Sequence, residues 1–348
     1  EIPEEYYFRI HHCRPRFKGN VENVLIYMAT EMTRIGDTPK KEFNDELNNA
    51  IKCFPGNATL KIKTIDNWRT EISSLFGLFY EDDNHYNHAM RRAKELAENN
   101  DLIQFFKLFL YYFQYPGAHI KAQNILEQIK AGIHFKPVQY ILKLLKSAEE
   151  LTGKRCAVTK EEVCYCIFND LRCTRDNEDV IKTWNRIQKN RELELEYVAN
   201  GDITRYAGDI LDYMQYANLL VSYNNKEYYM NHNENEAILK YINSNEWFSG
   251  YDEMLRTKQG TLKDIKNCKC DWFIYVNRNI KDTDFATDIS TFLDLDNSIS
   301  MEKQSKKQSF HNYMKRLDNI KKLKTKEIGD MGESLVHGHE CQRLKDGG

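Results

Sequence analysis

The sequence predicts a mainly α-helical protein carrying small β-hairpins, in which one order of elements occurs twice. Three observations predict it. Apolar residues recur at three- and four-residue steps in successive segments, the period of a helix with one buried face. Two of these segments run directly into short apolar stretches with polar tips, at residues 78–90 and 219–234. Gly77, Pro116-Gly117 and Asn224-Asn225 punctuate the chain where turns are needed.

Taken in order, VENVLIYMATEM (21–32) and KKEFNDELNNAIKC (40–53) carry helical spacing. In residues 64–76, Ile65, Trp68, Ile72, Leu75 and Phe76 form an apolar stripe, while Asp66, Asn67, Arg69, Thr70 and Ser73 face the other way. Thr64 is the expected N-cap and Gly77 the C-terminal break. LFYEDDNHYNHAM then reads as a hairpin, AMRRAKELAE as a helix, and DLIQFFKLFLYYFQYP as a helix whose Phe105, Phe106, Phe109, Tyr112 and Phe113 belong to the core. Three helices, the third ending in a hairpin, give the order of a winged helix, with helices two and three as a helix-turn-helix.

After Pro116-Gly117 the order recurs. KPVQYILKLLKSAEEL opens with Pro137 in its first turn, and Thr159 and Glu162 have capping-box spacing. EDVIKTWNRIQKN is an extra helix. GDITRYAGDILDYMQYANLL turns Ile203, Tyr206, Ile210, Leu211, Met214 and Ala217 inward, and a hairpin follows through Asn224-Asn225, residues that tolerate left-handed backbone. CKCDWFIYV reads as a buried strand, and residues 301–326 as a polar, locally basic, solvated helix. The expected division is a basic arm (1–19), a first winged-helix subdomain (20–130), a second (131–245), a helical linker region (246–326) and the start of a further domain (327–348).

The 348 residues carry a formal net charge of −2, so any nucleic-acid site must come from local basic patches. Nine cysteines without regular spacing fit reduced, buried thiols better than a disulfide framework or a zinc site, because Cys164 and Cys166 are two apart on a helix and point apart. No apolar run of about 18 residues and no signal-peptide order is present, so a soluble, cytoplasmic protein is expected. The chain begins at Glu1 and stops in mid-pattern at LKDGG, as expected of a fragment that is monomeric on its own. One internal string, Asp264-Ile265-Lys266 with Asp252 upstream, fits an acid-x-Lys nuclease pattern formally; such matches are frequent by accident.

TIDNWRTEISSLFGLFYEDD, and FLYYFQYP followed by KPVQYILKLL, resemble the N-terminal recognition half of type IIS restriction endonucleases, most closely the BpuJI type and more distantly the AlwI type, over residues 20–245. The resemblance implies two winged-helix subdomains that read a short asymmetric site on double-stranded DNA, in a prokaryotic restriction-modification setting. It also implies a C-terminal PD-(D/E)XK nuclease domain. IGDMGESLVHGHECQRLKDGG looks like that domain's opening helix, with Glu333 or Glu340 as its acid, while the metal-binding residues are expected beyond Gly348. No cofactor is expected in this chain, and Mg2+ is expected for the full-length enzyme.

On this reading the DNA contacts come from helices beginning near Thr64 and Ile203 and from tips near His85 and Asn225. Arg69 and Arg205 suit guanine, Asn67 adenine, and Asp66 or Asp209 a cytosine amino group; Thr70, Ser73 and Thr204 complete the helix faces. Lys61, Lys63, His88 and Lys226 suit phosphates, and Arg14, Arg16 and Lys18 form an arm ahead of the first helix. The rival reading is a winged-helix module that binds a protein through the same helices, with no step in DNA recognition.

Overall fold

The computed structural model describes residues 2–15, 17, 20–197 and 201–278, apart from the side chain of Asp202. The basic segment 301–326, Glu333, Glu340, and the arm residues Arg16 and Lys18 lie outside the described residues.

The chain forms α1 (Val21–Ile35), β1 (Thr38–Pro39) and α2 (Lys40–Cys53). A continuous helical stretch follows, made of α3 (Ile62–Asn67), a π turn (Trp68–Ile72) and α4 (Ser73–Phe76). It ends on Gly77 in left-handed backbone (φ 64°), where a Cβ would meet Val276 Cγ2 at 2.8 Å. The helix starts two residues earlier than the spacing predicts. Lys61 takes the N-cap position and Thr64 lies inside the first turn, so Thr64 is not the cap. Strands β2 (Phe79–Glu81) and β3 (Tyr86–Ala89) close an antiparallel sheet of order β1-β3-β2.

Three helices, α5 (Arg91–Asn99), α6 (Leu102–Tyr112) and α7 (Ala122–Ala131), separate this unit from the next. The second unit contains α8 (Pro137–Thr152), β4 (Ala157–Thr159), α9 (Lys160–Val163), a π turn (Cys164–Phe168), α10 (Leu171–Thr174), α11 (Val180–Glu192), α12 (Gly201–Tyr216), β5 (Leu220–Val221) and β6 (Glu227–Met230). Its sheet order, β4-β6-β5, repeats the first in form. Pro137 sits in the first turn of α8, the Thr159–Glu162 capping box is formed, and Asn225 has φ 58° at the hairpin tip.

The chain continues through α13 (Asn235–Asn243), α14 (Asp252–Thr257), α15 (Leu262–Asn267) and α16 (Lys269–Val276). The last corrects the expected strand at CKCDWFIYV. Trp272, Phe273, Tyr275 and Val276 are buried while Lys269, Cys270 and Ile274 are exposed, a helical period that a short aromatic run hides. Asp264 closes a capping box with Thr261 on α15, so the acid of the formal nuclease string is committed to a helix end.

The two units share one aromatic core. Phe76, at the end of α4, is fully buried and lies 4.7 Å from Phe109 of α6 and 5.6 Å from Tyr213 of α12, ring centre to ring centre. Phe106 of α6 stacks on the same Tyr213 at 5.6 Å. Edge and stacked contacts of this kind add about 0.5–1.5 kcal/mol each beyond area burial, and here they fix the end of one exposed helix against the middle of another.

Beneath this junction Arg92 is 5 % exposed. Its guanidinium donates to Phe76 O at 2.8 Å and to Val276 O, the last carbonyls of α4 and α16. Burial lowers its pKa to about 10. Two negative helix ends offset the desolvation of the charge. Asn277 completes the joint, donating to Gly77 O (2.9 Å) and accepting from Arg92 N (3.0 Å).

Cys156, Cys164, Cys166 and Cys173 are buried, and burial pushes the Cys164 thiol up to about 12 and Cys173 to about 11. Thiols so far from ionising behave as small hydrophobic groups. Among the described residues no group of three His, Cys, Asp or Glu side chains is placed to hold a metal ion, and no helix is long and apolar enough to cross a membrane.

Candidate nucleic-acid interface

The first exposed helix face is set by the turn before it. Asn57 is fully buried and donates to Ile51 O (2.9 Å), which closes the end of α2 before the chain reverses into α3. Ile65, Trp68 and Ile72 bury the inner stripe. The outer face carries Ile62, Lys63, Asp66, Asn67 and Thr70, with Lys61 just ahead of it.

Two sequence candidates on this face turn out differently. Ser73 is 2 % exposed and lies inside the fold. The π turn before it inserts an extra residue, which rotates Ser73 and its successors by about 100° relative to a regular helix. Arg69 is half-sequestered, its side chain only 13 % exposed, with one guanidinium nitrogen 2.9 Å from Asp66 Oδ1 and 2.6 Å from Asn48 Oδ1. It links α2 to the outer face and sets the orientation of Asp66. Thr70 Oγ1 donates to Asp66 O at 2.8 Å, while Asn67 is exposed.

The first hairpin tip is acidic. His85 has φ 61° and is exposed, with Nδ1 2.8 Å from Glu81 Oε1. His88 lies 3.0 Å from Asp82 and 3.3 Å from Asp37, and hydrogen bonding to Asp82 raises its pKa. With Glu81, Asp82, Asp83 and Asp37 around them, these two histidines are tied to carboxylates of their own chain.

The second helix face begins at a cleft of about 280 Å³ lined by Arg14, Lys160, Gly201, Thr204, Arg205, Gly208, Asp209 and Asp212. Arg205 is exposed at its mouth. Arg14 Nε pairs with Asp209 at 2.9 Å, and Lys160 Nζ with Asp212 at 3.1 Å. Burial and the neighbouring Asp212 push the Asp209 carboxyl up to about 6, against the opposing pull of Arg14. Gly208 allows Lys160 to lie across the helix, since a Cβ there would meet Lys160 Cδ at 2.9 Å.

The second hairpin tip is basic and aromatic. Asn224 Oδ1 accepts from Lys226 N (3.0 Å) and Glu227 N (2.9 Å), which shapes the turn and leaves the Lys226 side chain exposed. The Arg155 guanidinium lies 5.8 Å from Tyr223 and 5.4 Å from Tyr229, and donates to Tyr223 Oη at 3.0 Å. Sequence reasoning missed Arg155, Lys160 and Tyr223. They come together only because β4 pairs with β6, and a three-residue strand has no readable pattern.

The N-terminal arm is not a loose end. Phe8 N donates to Asn169 O (3.0 Å) and Ile10 N to Asn169 Oδ1 (3.2 Å), while His12 is buried 2.9 Å from Tyr115 Oη. Farther along, Cys13 Sγ donates to Glu71 O (3.4 Å), Arg14 pairs with Asp209, and Phe17 packs on Phe76. The segment thus passes between the helical stretch 62–76 and α12.

A family model described as the N-terminal domain of restriction endonuclease BpuJI matches residues 1–273. Among solved structures, the chain is similar to the BpuJ1 endonuclease binding domain, crystallised in complex with pyrene- and phenanthrene-modified DNA. The two are 26% identical with a TM-score of 0.68, over 80% of this chain and 100% of that one. No match to a curated protein was found.

Proposed function

Because the chain belongs to the family of BpuJI restriction endonuclease N-terminal domains, we propose that it recognises a short specific site on double-stranded DNA. It does so as the specificity part of a type II endonuclease, of the type IIS kind that cuts outside its site. The observation that carries this is the juxtaposition of two polar helix faces across one arm. The stretch 62–76 and α12 meet through Phe76 and Tyr213, and Cys13 and Arg14 reach one helix each. We read each unit as a winged helix, in which the third helix enters the major groove and the hairpin lies along the backbone.

In this arrangement Asn67, Asp66, Thr70, Arg205 and Asp209 present base-reading groups, and Lys61, Lys63, Thr64, Lys160, Arg155, Asn225 and Lys226 lie where phosphates pass; Thr204, expected on the same face, instead buries its hydroxyl in the fold beside Cys164 and reads no base. Arg69 acts through Asp66 as a positioning residue. Arg14 reaches the second face by way of Asp209, and His85 and His88 serve the first tip's own acidic network. The nuclease reaction and its Mg2+ belong to a PD-(D/E)XK domain that would follow.

Reading and gripping separate experimentally. Asn67→Ala is expected to cost about 1–3 kcal/mol and to relax preference at one base position, whereas Lys226→Ala should weaken all duplexes alike and reduce the salt slope by about one. The test of the function is the affinity for duplex DNA against salt. With several lysines and arginines displacing counterions, the logarithm of affinity should fall with the logarithm of salt with a slope of about −3 or steeper. A flat response with a protein partner still bound would favour the interaction-module reading.

A further inference from the structure

Ile62 is the most exposed large apolar side chain among the described residues, at 69 % of its full exposure. It opens α3, between exposed Lys61 and Lys63. Four and eight residues on, Asp66 and Thr70 stand on the same side of the helix, whereas the buried stripe is Ile65, Trp68 and Ile72. Ile62 therefore takes no part in the core. As a β-branched residue it also favours a helix less than lysine, arginine, glutamate or glutamine would.

A scattered surface isoleucine is ordinary. This one stands in the first turn of a helix whose outer face is otherwise polar, and first-turn residues of a recognition helix meet base edges. The edges of the major groove offer hydrogen-bond donors and acceptors and one apolar group, the 5-methyl of thymine. The lysines on either side suit flanking phosphates and would hold the helix end against the groove.

We propose that Ile62 packs on the 5-methyl group of one thymine in the bound duplex and makes this chain select thymine at that position. The inference rests on the DNA-recognition reading and names part of its specificity. The contact removes apolar surface from water on both partners, a gain that comes from burial and not from hydrogen bonding.

The test uses the 348-residue chain and the duplex it selects, with each thymine replaced in turn by deoxyuridine. That exchange removes the methyl and keeps every donor and acceptor. One position should weaken wild-type binding by about three- to tenfold. Ile62→Ala should lose about the same factor on the thymine duplex and become indifferent to the exchange at that position alone. Ile62 is exposed, so the variant is expected to fold as the wild type does. Equal penalties in both proteins at every thymine, no penalty anywhere, or a selected site without thymine would each overturn the inference while leaving sequence-specific binding intact. Failure to select any sequence would instead overturn the reading on which it rests.

Discussion

Replacing Phe76 by alanine is expected to lower the unfolding free energy by about 3–5 kcal/mol, the range for removing a buried aromatic ring that cannot be refilled. Phe76 has no exposed surface and touches the rings of Phe17, Phe105, Phe106, Phe109 and Tyr213. The loss should appear as a lower denaturation midpoint with an unchanged denaturant slope. The same ring joins the end of the first exposed helix to α12, so affinity for the selected duplex should also fall under conditions where the variant remains folded. Phe76→Leu, which keeps most of the volume, should lose much less of both. A cost below about 1 kcal/mol for the alanine variant would mean that the aromatic junction is not what holds the two helices together.

Acid should destabilise the fold from about pH 6.5 downward. His12 and His119 are buried, and burial depresses both, His12 to about 3 with Arg14 adding to the effect and His119 well below its ordinary value. The sign depends on which state binds the proton. The unfolded chain protonates these rings near 6.5 while the fold keeps them neutral, so their stability is fully present above 6.5 and is lost as pH falls. Each ring that stays neutral costs about 1.4 kcal/mol per pH unit below that value. Asp209 works in the opposite sense, since its carboxyl is raised to about 6 and protonation below that relieves part of a burial penalty. The ring of His119 sits among Phe113, Tyr115 and Trp272 with neither nitrogen hydrogen-bonded to another of the described residues. His119→Phe should therefore fold, and the drop in unfolding free energy from pH 7 to pH 5 should shrink by about 2 kcal/mol. An identical pH dependence in the two proteins would remove His119 from the account.

The helices were legible where one face is buried. The apolar spacing of α8 and α12, Pro137 in the first turn of α8, the Thr159–Glu162 box ahead of α9 and Asn225 at the hairpin tip each fall at the expected place, because these signals act within a turn or two of chain. The elements that were not legible depend on distant partners. Strands β1 and β4 are two and three residues long and exist only through β3 and β6. The run that became α16 is apolar at adjacent positions and gives no clear period, so its helical state reflects packing against α6 and the Gly77 turn.

The candidate site divides in the same way. The outward placement of Asn67, Thr70, Lys63 and Lys226 is set by local geometry. Arg69 and Ser73 sit on the same side in a regular helical projection, yet a partner on α2 captures one and a π turn rotates the other inward. The arm's path was hidden for a similar reason: residues 8–14 are held by Asn169, Tyr115, Glu71 and Asp209, none of them near in sequence.

Selection from a pool of randomised duplexes at several salt concentrations tests the central claim, that two helix faces and one arm read a single DNA site together. The expected result is enrichment of one short asymmetric sequence, with preference lost at one cluster of positions by Asn67→Ala and at a separate cluster by Arg205→Ala, and with all affinities falling as salt rises. Enrichment of no sequence, or loss of the same positions in both variants, would contradict it.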